Sequence, residues 1–203
     1  MTALVALAVL VAQQEVPNVG ELPKFSVDVV GEPLGQAPAT GFGNSTNINL
    51  GLKGLIYEIP EGSTQLPKFK KLQPIGTIYT NSLNIPKQDF TIGFPGVTTR
   101  NEWFAIDYTG QIYIRETGWY GFILASDDGS CLYIDGKRVI DNDGVHGMIK
   151  AEGATKLAVG QHSIRLSYFQ GPRFSVGLMF GVRRPEDKQW ILFDMRLFRP
   201  PAQ

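Results

Sequence analysis

The stretch from Trp119 to His146 limits the fold of this chain more than any other. Tyr120, Phe122 and Leu124 alternate with Gly121, Ile123 and Ala125, the period-two signature of a strand with two distinct faces. Ser126-Asp127-Asp128-Gly129-Ser130 breaks that strand. A second alternation follows, in which Cys131, Tyr133 and Asp135 oppose Leu132 and Ile134. Asp135-Gly136 stands where a two-residue hairpin turn is wanted. Lys137 to Ile140 returns, and Asp141-Asn142-Asp143-Gly144 closes the unit as a turn. Two clusters of oxygen-bearing side chains thus flank one hairpin, and hard cations such as calcium take oxygen ligands of this kind.

Strand patterns continue on both sides. Gly51 to Pro60 (GLKGLIYEIP) reads as a strand halted by Pro60-Glu61-Gly62. Residues 63–95 form an irregular run with prolines at 67, 74, 86 and 95, and with short strands at Thr77 to Thr80 and Phe90 to Ile92. Trp103 to Tyr108 and Gln111 to Arg115 read as a hairpin about Thr109-Gly110, and Thr155 to Val159 and His162 to Phe169 as another about Gly160-Gln161. In His162 to Phe169, Ile164, Leu166 and Tyr168 alternate with Arg165 and Ser167, so one face is core and the other wet. Phe174 to Val182 is a further strand, and Gln189 to Phe198 a final strand or short helix. No apolar repeat at helical spacing exceeds about three turns. With 23 glycines and 13 prolines in 203 residues, the composition is that of short strands joined by tight turns, with room for one domain. The expected class is all-β.

Ala3 to Ala12 is an unbroken apolar run, too short for a bilayer-spanning helix of about 20 residues. It resembles the core of a secretory signal, with Ala12 as the small residue before cleavage; a buried N-terminal strand is the competing reading. Residues 13–47 are rich in Pro, Gly, Asn and Gln, with one strand candidate at Phe25 to Val30 and a glycosylation acceptor at Asn44-Ser45-Thr46. They read as an extended lead-in that wraps the domain or a partner. The expected organisation is a signal-like segment over 1–12, the lead-in over 13–47 and one β-domain over 48–203. An exported protein, periplasmic or at the cell surface, without a transmembrane span of its own, follows from that reading.

Nineteen basic and nineteen acidic residues cancel, leaving no general field to attract nucleic acid or an anionic membrane. Lys68-Phe69-Lys70-Lys71 and Arg183-Arg184 are short basic runs of the kind that sit on solvated faces. The single cysteine, Cys131, has no internal disulfide partner and lies in an alternating strand as a buried, inert thiol. Two histidines are too few for a histidine-rich zinc site, and His146 reads as a hydrogen-bonded structural residue. Phosphate loops, serine nucleophile elbows and metalloprotease motifs are all lacking. Catalysis would have to rest on carboxylates, but Asp127 and Asp128 are adjacent and followed by Gly, which suits a shared cation better than two faces of a glycosidic bond. The expectation is a non-enzyme. From spacing alone the pair is either a calcium site or a tight turn whose carboxylates cap backbone N–H groups. Asp141-Asn142-Asp143-Gly144 has a fragment of the EF-hand pattern without its glutamate. Trp103, Trp119 and Tyr120 carry rings able to stack on sugars, but their places in alternating strands assign them to the core.

The order of these segments, GLIYE, FTIGFPG, WFAIDYTGQIYI, ETGWYGFILASDDGSCLYIDGKRVIDNDGVH and LAVGQHSIRLSYFQG, resembles the protective-antigen-fourteen domain family, including its fibro-slime and flocculation-adhesin branches. The resemblance runs from about residue 51 to about residue 183. It implies a β-sandwich or barrel-like domain of exported or cell-surface proteins, often associated with carbohydrate binding. In the sugar-binding adhesin branch, an aspartate pair corresponding to Asp127 and Asp128 is joined by a cis peptide and holds a calcium that binds sugar hydroxyls. The same branch takes further ligands, including an asparagine, from a second loop. Here that loop is Gln170 to Arg173; it has no asparagine, and offers Gln170 as a possible ligand and Arg173 as a positive charge.

Two functional readings follow. One is an exported, non-catalytic domain that binds a glycan through calcium held by Asp127, Asp128 and Gln170, with Arg173 at the ligand. The other is a structural or accessory subunit that docks onto a larger envelope or membrane-associated protein assembly, for which residues 13–47 and the altered second loop speak.

Overall fold

A computed structural model of the chain describes residues 51–92 and 100–201. The signal-like run, the lead-in with Phe25 to Val30, Asn44 and part of the FTIGFPG segment lie outside the described residues. Strands β1 (Leu52–Glu58), β2 (Gly76–Thr80), β3 (Asn84–Asp89), β4 (Phe104–Ile114), β5 (Gly118–Asp127) and β6 (Ser130–Ile134) come first. They are followed by β7 (Lys137–Asn142), β8 (Ile149–Leu157), β9 (Gly160–Gln170), β10 (Ser175–Arg183) and β11 (Ile191–Leu192). One antiparallel sheet of six strands has the order β2-β1-β4-β9-β6-β7. A second, of five, runs β11-β10-β5-β8, with β3 added to β10. The all-β expectation holds.

The alternation seen in the sequence is what joins the sheets. Phe104, Ile106, Tyr108 and Ile112 of β4 and Ile164, Leu166 and Tyr168 of β9 face Tyr120, Phe122 and Leu124 of β5 and Leu178, Phe180 and Val182 of β10, all buried. Phe122 stacks on Phe180 at 6.0 Å between centroids, and Phe180 meets Phe193 at 4.4 Å. Each such side chain removed from water contributes roughly 1.5–3 kcal/mol. A smaller cluster of Tyr57, Ile59, Phe69, Ala105 and Phe169 lies on the outward face of the six-stranded sheet, covered by Leu66 and Leu72 of the irregular run.

Several segments differ from their sequence reading. Thr109-Gly110 makes no turn: β4 runs straight through it, paired residue for residue with β9 from Phe104 to Ile114. Gly110 is there because a Cβ would sit 2.9 Å from the Leu52 side chain. Gly160 does turn, with φ +133°, but β8 pairs with β5 and β9 with β4 and β6, so the chain crosses between sheets instead of forming a hairpin. Phe90–Ile92 is a 3-10 turn, not a strand, and its start is fixed by the Thr91 N–H donating to the Asp89 carboxylate at 2.8 Å. The neighbouring strand is β3, which tolerates Pro86 because its one pairing partner is β10. Residues 189–198 hold both options, β11 and then a 3-10 turn at Met195–Phe198. Trp119 is 38% exposed, so it leaves the expected core, whereas Tyr120 is buried and Trp103 packs on the smaller cluster.

Asp135-Gly136 forms the expected tight turn, both residues having positive φ (50° and 74°). Its carboxylate is put to use. Asp135 accepts from the Ser163 N–H at 2.9 Å and lies 2.6 Å from His162 Nδ1, while His162 Nε2 is 2.9 Å from the Ala158 carbonyl. Two acceptors on two ring nitrogens favour the doubly protonated imidazolium. Burial lowers the His162 pKa, but the Asp135 hydrogen bond, the Ala158 carbonyl and the Asp135 charge outweigh it, and the net shift is upward. For Asp135, burial pulls upward and the His162 and Ser163 bonds more than reverse it, so its net shift is downward. A raised imidazole stabilises the fold fully below its unfolded value of about 6.5, and the contribution disappears as pH rises through the folded value. A depressed carboxylate contributes above its unfolded value of about 3.9 and is lost on acidification. The pair should therefore stabilise most between those two values. Thermal unfolding from pH 5 to 9 should show a loss attributable to His162, and His162→Gln should remove that slope; an unchanged slope would refute the assignment.

Candidate functional site

The acidic loop is a crossing point. β5 ends at Asp127 in the five-stranded sheet and β6 begins at Ser130 in the six-stranded sheet, so Asp128 and Gly129 carry the chain from one layer to the other. Gly129 fits because a Cβ would fall 2.4 Å from the Phe169 ring, and its carbonyl accepts the Phe169 N–H at 2.9 Å. The Asp127-Asp128 peptide is cis, as the resemblance implies. Below the loop, Ser126 and Ser130 hydroxyls lie 2.7 Å apart and the Asn142 amide donates to Ser126 Oγ at 2.9 Å, tying β5, β6 and β7 into one buried polar knot.

Both carboxylates are withdrawn from solvent, Asp127 to 4% exposure and Asp128 to 3%. Asp128 Oδ1 accepts the His146 N–H at 3.0 Å and Oδ2 the Gly171 N–H at 2.8 Å. Gly171 permits that approach, since a Cβ there would come within 3.2 Å of Oδ2. Asp127 Oδ2 accepts from the Ser175 hydroxyl, and the Asp127 carbonyl oxygen from the Tyr168 hydroxyl at 2.6 Å. Among the described residues neither carboxylate forms an ion pair with a basic side chain. Burial lifts the Asp128 pKa above the ordinary carboxylate range; the Gly171 and His146 N–H groups oppose that lift and the Asp127 charge adds to it.

The structure brings Gln170 to the pair and fixes what it offers. Its Nε2 faces three acceptors, Asp128 Oδ2 at 3.4 Å, the Pro172 carbonyl at 3.4 Å and the Ser175 carbonyl at 3.1 Å. Its Oε1 lies 2.7 Å from the Tyr168 hydroxyl. Three acceptors require the nitrogen on that side, so Gln170 supports the Asp128 carboxylate instead of presenting an oxygen to a cation beside it. Arg173 is turned elsewhere: its N–H donates to Glu102 Oε1 at 3.0 Å and its guanidinium pairs with the same carboxylate at 3.4 Å. The positive charge expected at the site is thus taken by Glu102.

His146 is structural, as expected, its ring nitrogens 2.9 and 3.0 Å from the Gly147 and Asn142 carbonyls. The Asp141 to Gly144 stretch is more than a turn. β7 continues through Asn142, and Asp143 accepts the Leu66 N–H at 2.8 Å, anchoring the irregular run. Cys131 is buried, its Sγ 3.3 Å from Asp141 Oδ1, and burial first, then Asp141, push the thiol up to about 11. Such a thiol is inert at neutral pH. Tyr168 and Ser175 were not singled out in the sequence, where each has only the pattern of a strand residue. Beside Ser175 and His146 in sequence, Phe174 is 83% exposed and Val145 45%.

Chemically, the pair can take a hard cation. Asp128 Oδ2 accepts from both the Gly171 N–H and Gln170 Nε2, whereas Asp128 Oδ1 and Asp127 Oδ2 accept one donor each and keep a lone pair that a hard cation could use. Among the described residues no cluster of three or more His, Cys, Asp or Glu side chains exists, so two carboxylates are the whole anionic complement available to an ion here.

An antiparallel two-sheet sandwich with a carboxylate pair at a sheet crossing defines the class of domain. The family model of the PA14 domain matches residues 64–188, the larger part of the chain, and the protein belongs to that family. Among solved structures it is similar to the PA14 domain of the MpAFP antifreeze protein (TM-score 0.60, 16% identity, 72% of this chain and 88% of that one). A PA14 sugar-binding domain from an RTX adhesin gives a TM-score of 0.59 at 18% identity, over 72% of this chain and 96% of that one. The A domain of epithelial adhesin 6 from Candida glabrata, solved with Galβ1-3GlcNAc, gives 0.51 at 12% identity, over 76% and 90%. No curated protein sequence matches. At these identities the structures speak to the fold. No helix among the described residues is long and apolar enough to cross a membrane.

Tyr168 ties the loop to the six-stranded sheet. Its hydroxyl, fully buried, serves both the Asp127 carbonyl and Gln170 Oε1. The hydroxyl has one proton, shared between these two oxygens, so Tyr168→Phe removes their common donor and should cost roughly 1–3 kcal/mol. Urea unfolding checks this; a midpoint unchanged from the parent's would remove Tyr168 from the account.

Proposed function

We propose that this domain is a non-catalytic, carbohydrate-binding module of an exported protein, acting at the cell surface or in the periplasm, and that it binds sugar through a calcium ion held at Asp127 and Asp128. The observation that carries the reading is the pair itself: two adjacent carboxylates, nearly excluded from water, with no basic partner among the described residues. Buried anions in that state are costly, and neutralisation by a cation relieves the cost. A bound calcium would supply that charge and open coordination positions for sugar hydroxyls. The chain's own part is to hold the carboxylates still. His146 and Gly171 N–H groups orient Asp128, Ser175 orients Asp127, and Gln170 supports Asp128 from its amide nitrogen. Exposed Phe174 and Val145, next in sequence to Ser175 and His146, are the apolar side chains that would meet the less polar face of a sugar ring. The sugar-binding name of the adhesin domain and the disaccharide in the epithelial adhesin structure support sugar as the ligand class.

Calorimetric titration of calcium into the chelator-stripped protein tests this, beside the Asp127→Ala, Asp128→Ala double variant. One ion should bind the parent and stabilise it by about 2.7 kcal/mol at a hundredfold excess over Kd. The variant should show neither effect, and glycan binding should disappear in EDTA. Equal responses from the two proteins would sink the reading. The exposed Phe174 also favours a second one, a subunit docked onto a larger envelope assembly. A calcium-silent protein that co-purifies with a stoichiometric envelope partner, and loses it on Phe174→Asp, would put that reading first.

A further inference from the structure

The outward face of the six-stranded sheet carries a hollow of about 450 Å³, lined among others by Thr109, Gln111, Tyr133, Ser163 and Arg165. It is built from the wet side of three strands and owes nothing to the acidic loop. Cross-strand pairing sets the residues in rows: Thr109 is opposite Arg165, which is opposite Tyr133, and Gln111 is opposite Ser163. Neighbours in such rows stand about 5 Å apart on one face. Tyr133 and Arg165 are half-buried, and Gln111 and Thr109 are exposed.

Arg165 is held unusually firmly for a residue whose side chain is 41% exposed. Its guanidinium carbon lies 5.5 Å from the centre of the Phe69 ring and 5.3 Å from that of Tyr133. Its Nε–H donates to Asp107 Oδ1 at 2.8 Å, and Asp107, only 13% exposed, is itself fixed by the Ser167 hydroxyl at 2.7 Å. A guanidinium has five N–H donors. One is committed to Asp107, and among the described residues none accepts from the two terminal nitrogens. Asp107 therefore fixes the plane of the group while its bidentate edge stays available. A planar, preoriented fork is the donor that matches a carboxylate, which a mobile lysine cannot copy.

We propose that this hollow is a second ligand site, and that it takes an acidic sugar unit, a pyranose bearing a carboxylate. Arg165 receives the carboxylate in a two-bond grip. Thr109, Gln111 and Ser163 supply hydroxyl and amide groups for ring hydroxyls, and Tyr133 a partly buried aromatic wall. An acidic peptide suits the place less well. Peptides gain much of their affinity on sheets by pairing main chain along a free edge, and here β4 and β9 are both interior strands, flanked on each side. The hollow offers side chains only, which is what a ring of hydroxyls needs.

The test is a calorimetric and NMR titration of the full 203-residue chain with a galacturonic acid disaccharide, in EDTA so that calcium plays no part. The controls are the uncharged galactose disaccharide, acetate and an aspartyl-aspartate peptide. The acidic disaccharide should bind with amide shifts confined to Thr109, Gln111, Tyr133, Ser163 and Arg165. Affinity should fall about tenfold or more for Arg165→Lys, which keeps the charge but loses the fork. Gln111→Ala, an exposed change with little bearing on folding, should weaken binding severalfold and guards against an Arg165→Lys protein that is merely misfolded. The proposal is overturned if the neutral disaccharide binds as well, if acetate or the peptide reproduces the shifts at equal affinity, if the shifts fall elsewhere, or if neither variant changes the affinity.

Discussion

The withdrawal of two adjacent carboxylates from water is the constraint around which this domain is organised. Each unpaired anion in such a place costs several kcal/mol unless hydrogen bonds or a counter-ion offset it. The chain meets part of that cost from three places, with His146 following β7, Gly171 following β9 and Ser175 opening β10. Tyr168 of β9 adds a bond to the backbone carbonyl of Asp127. No pair of neighbouring strands could assemble this set. Only when both sheets are docked do all four groups meet Asp127 and Asp128, so the integrity of the loop reports on the integrity of the sandwich.

That dependence explains why glycine recurs where it does. Gly129 and Gly171 lie on either side of the pair, and both positions lack the space for a Cβ, one against the Phe169 ring and the other against Asp128 Oδ2. A similar restriction closes the far edge of the fold. A Cβ on Gly153 of β8 would sit 2.1 Å from the Val139 carbonyl of β7, so the two sheets approach each other there at backbone distance. The core aromatics provide the bulk of the burial, and these glycines set how closely the layers can approach around it.

Much of this was legible in the sequence and the remainder has a physical reason for being hidden. Period-two alternation located β5, β6 and β9, because a half-buried sheet face dictates side-chain polarity residue by residue. What alternation cannot state is the partner. Gly160 is a turn by any local criterion, and only the pairing of β8 with β5 shows it to be a corner between sheets. Thr109-Gly110 has turn chemistry, yet the glycine answers to Leu52 in a distant strand. At the site, adjacent carboxylates followed by Gly were a readable signal. The inward aim of both, the amide orientation of Gln170 and the diversion of Arg173 to Glu102 were not, since each involves a residue brought close only by the tertiary fold: His146 and Gly171 for Asp128, Ser175 for Asp127, Asp128 for Gln170 and Glu102 for Arg173. Tyr168 was visible only as the apolar member of an alternating strand, whereas its hydroxyl at the core end of the loop is what supports the crossing.

The hydrogen bonds that hold the carboxylates are also compatible with a cation, and this bears on how one would be received. Asp128 Oδ1 accepts one N–H and has a second lone pair, while Oδ2 already receives both the Gly171 N–H and the longer Gln170 amide contact. An ion arriving at Oδ1 would therefore leave the N–H bonds that orient the group in place. The N–H donors alone leave the Asp128 pKa raised, so they do not by themselves offset the burial and the neighbouring charge. An ion would remove that residual penalty while the loop, already fixed by Gly129 and Tyr168, has little left to reorganise. Binding to a preorganised set of ligands loses little to ordering. The same economy holds on the outer sheet, where Asp107 and two rings fix Arg165 before any ligand arrives. In both places one part of a charged group is committed to structure while lone pairs or N–H donors on the rest stay uncommitted among the described residues, and a chain with no net charge gains local electrostatic character in this way.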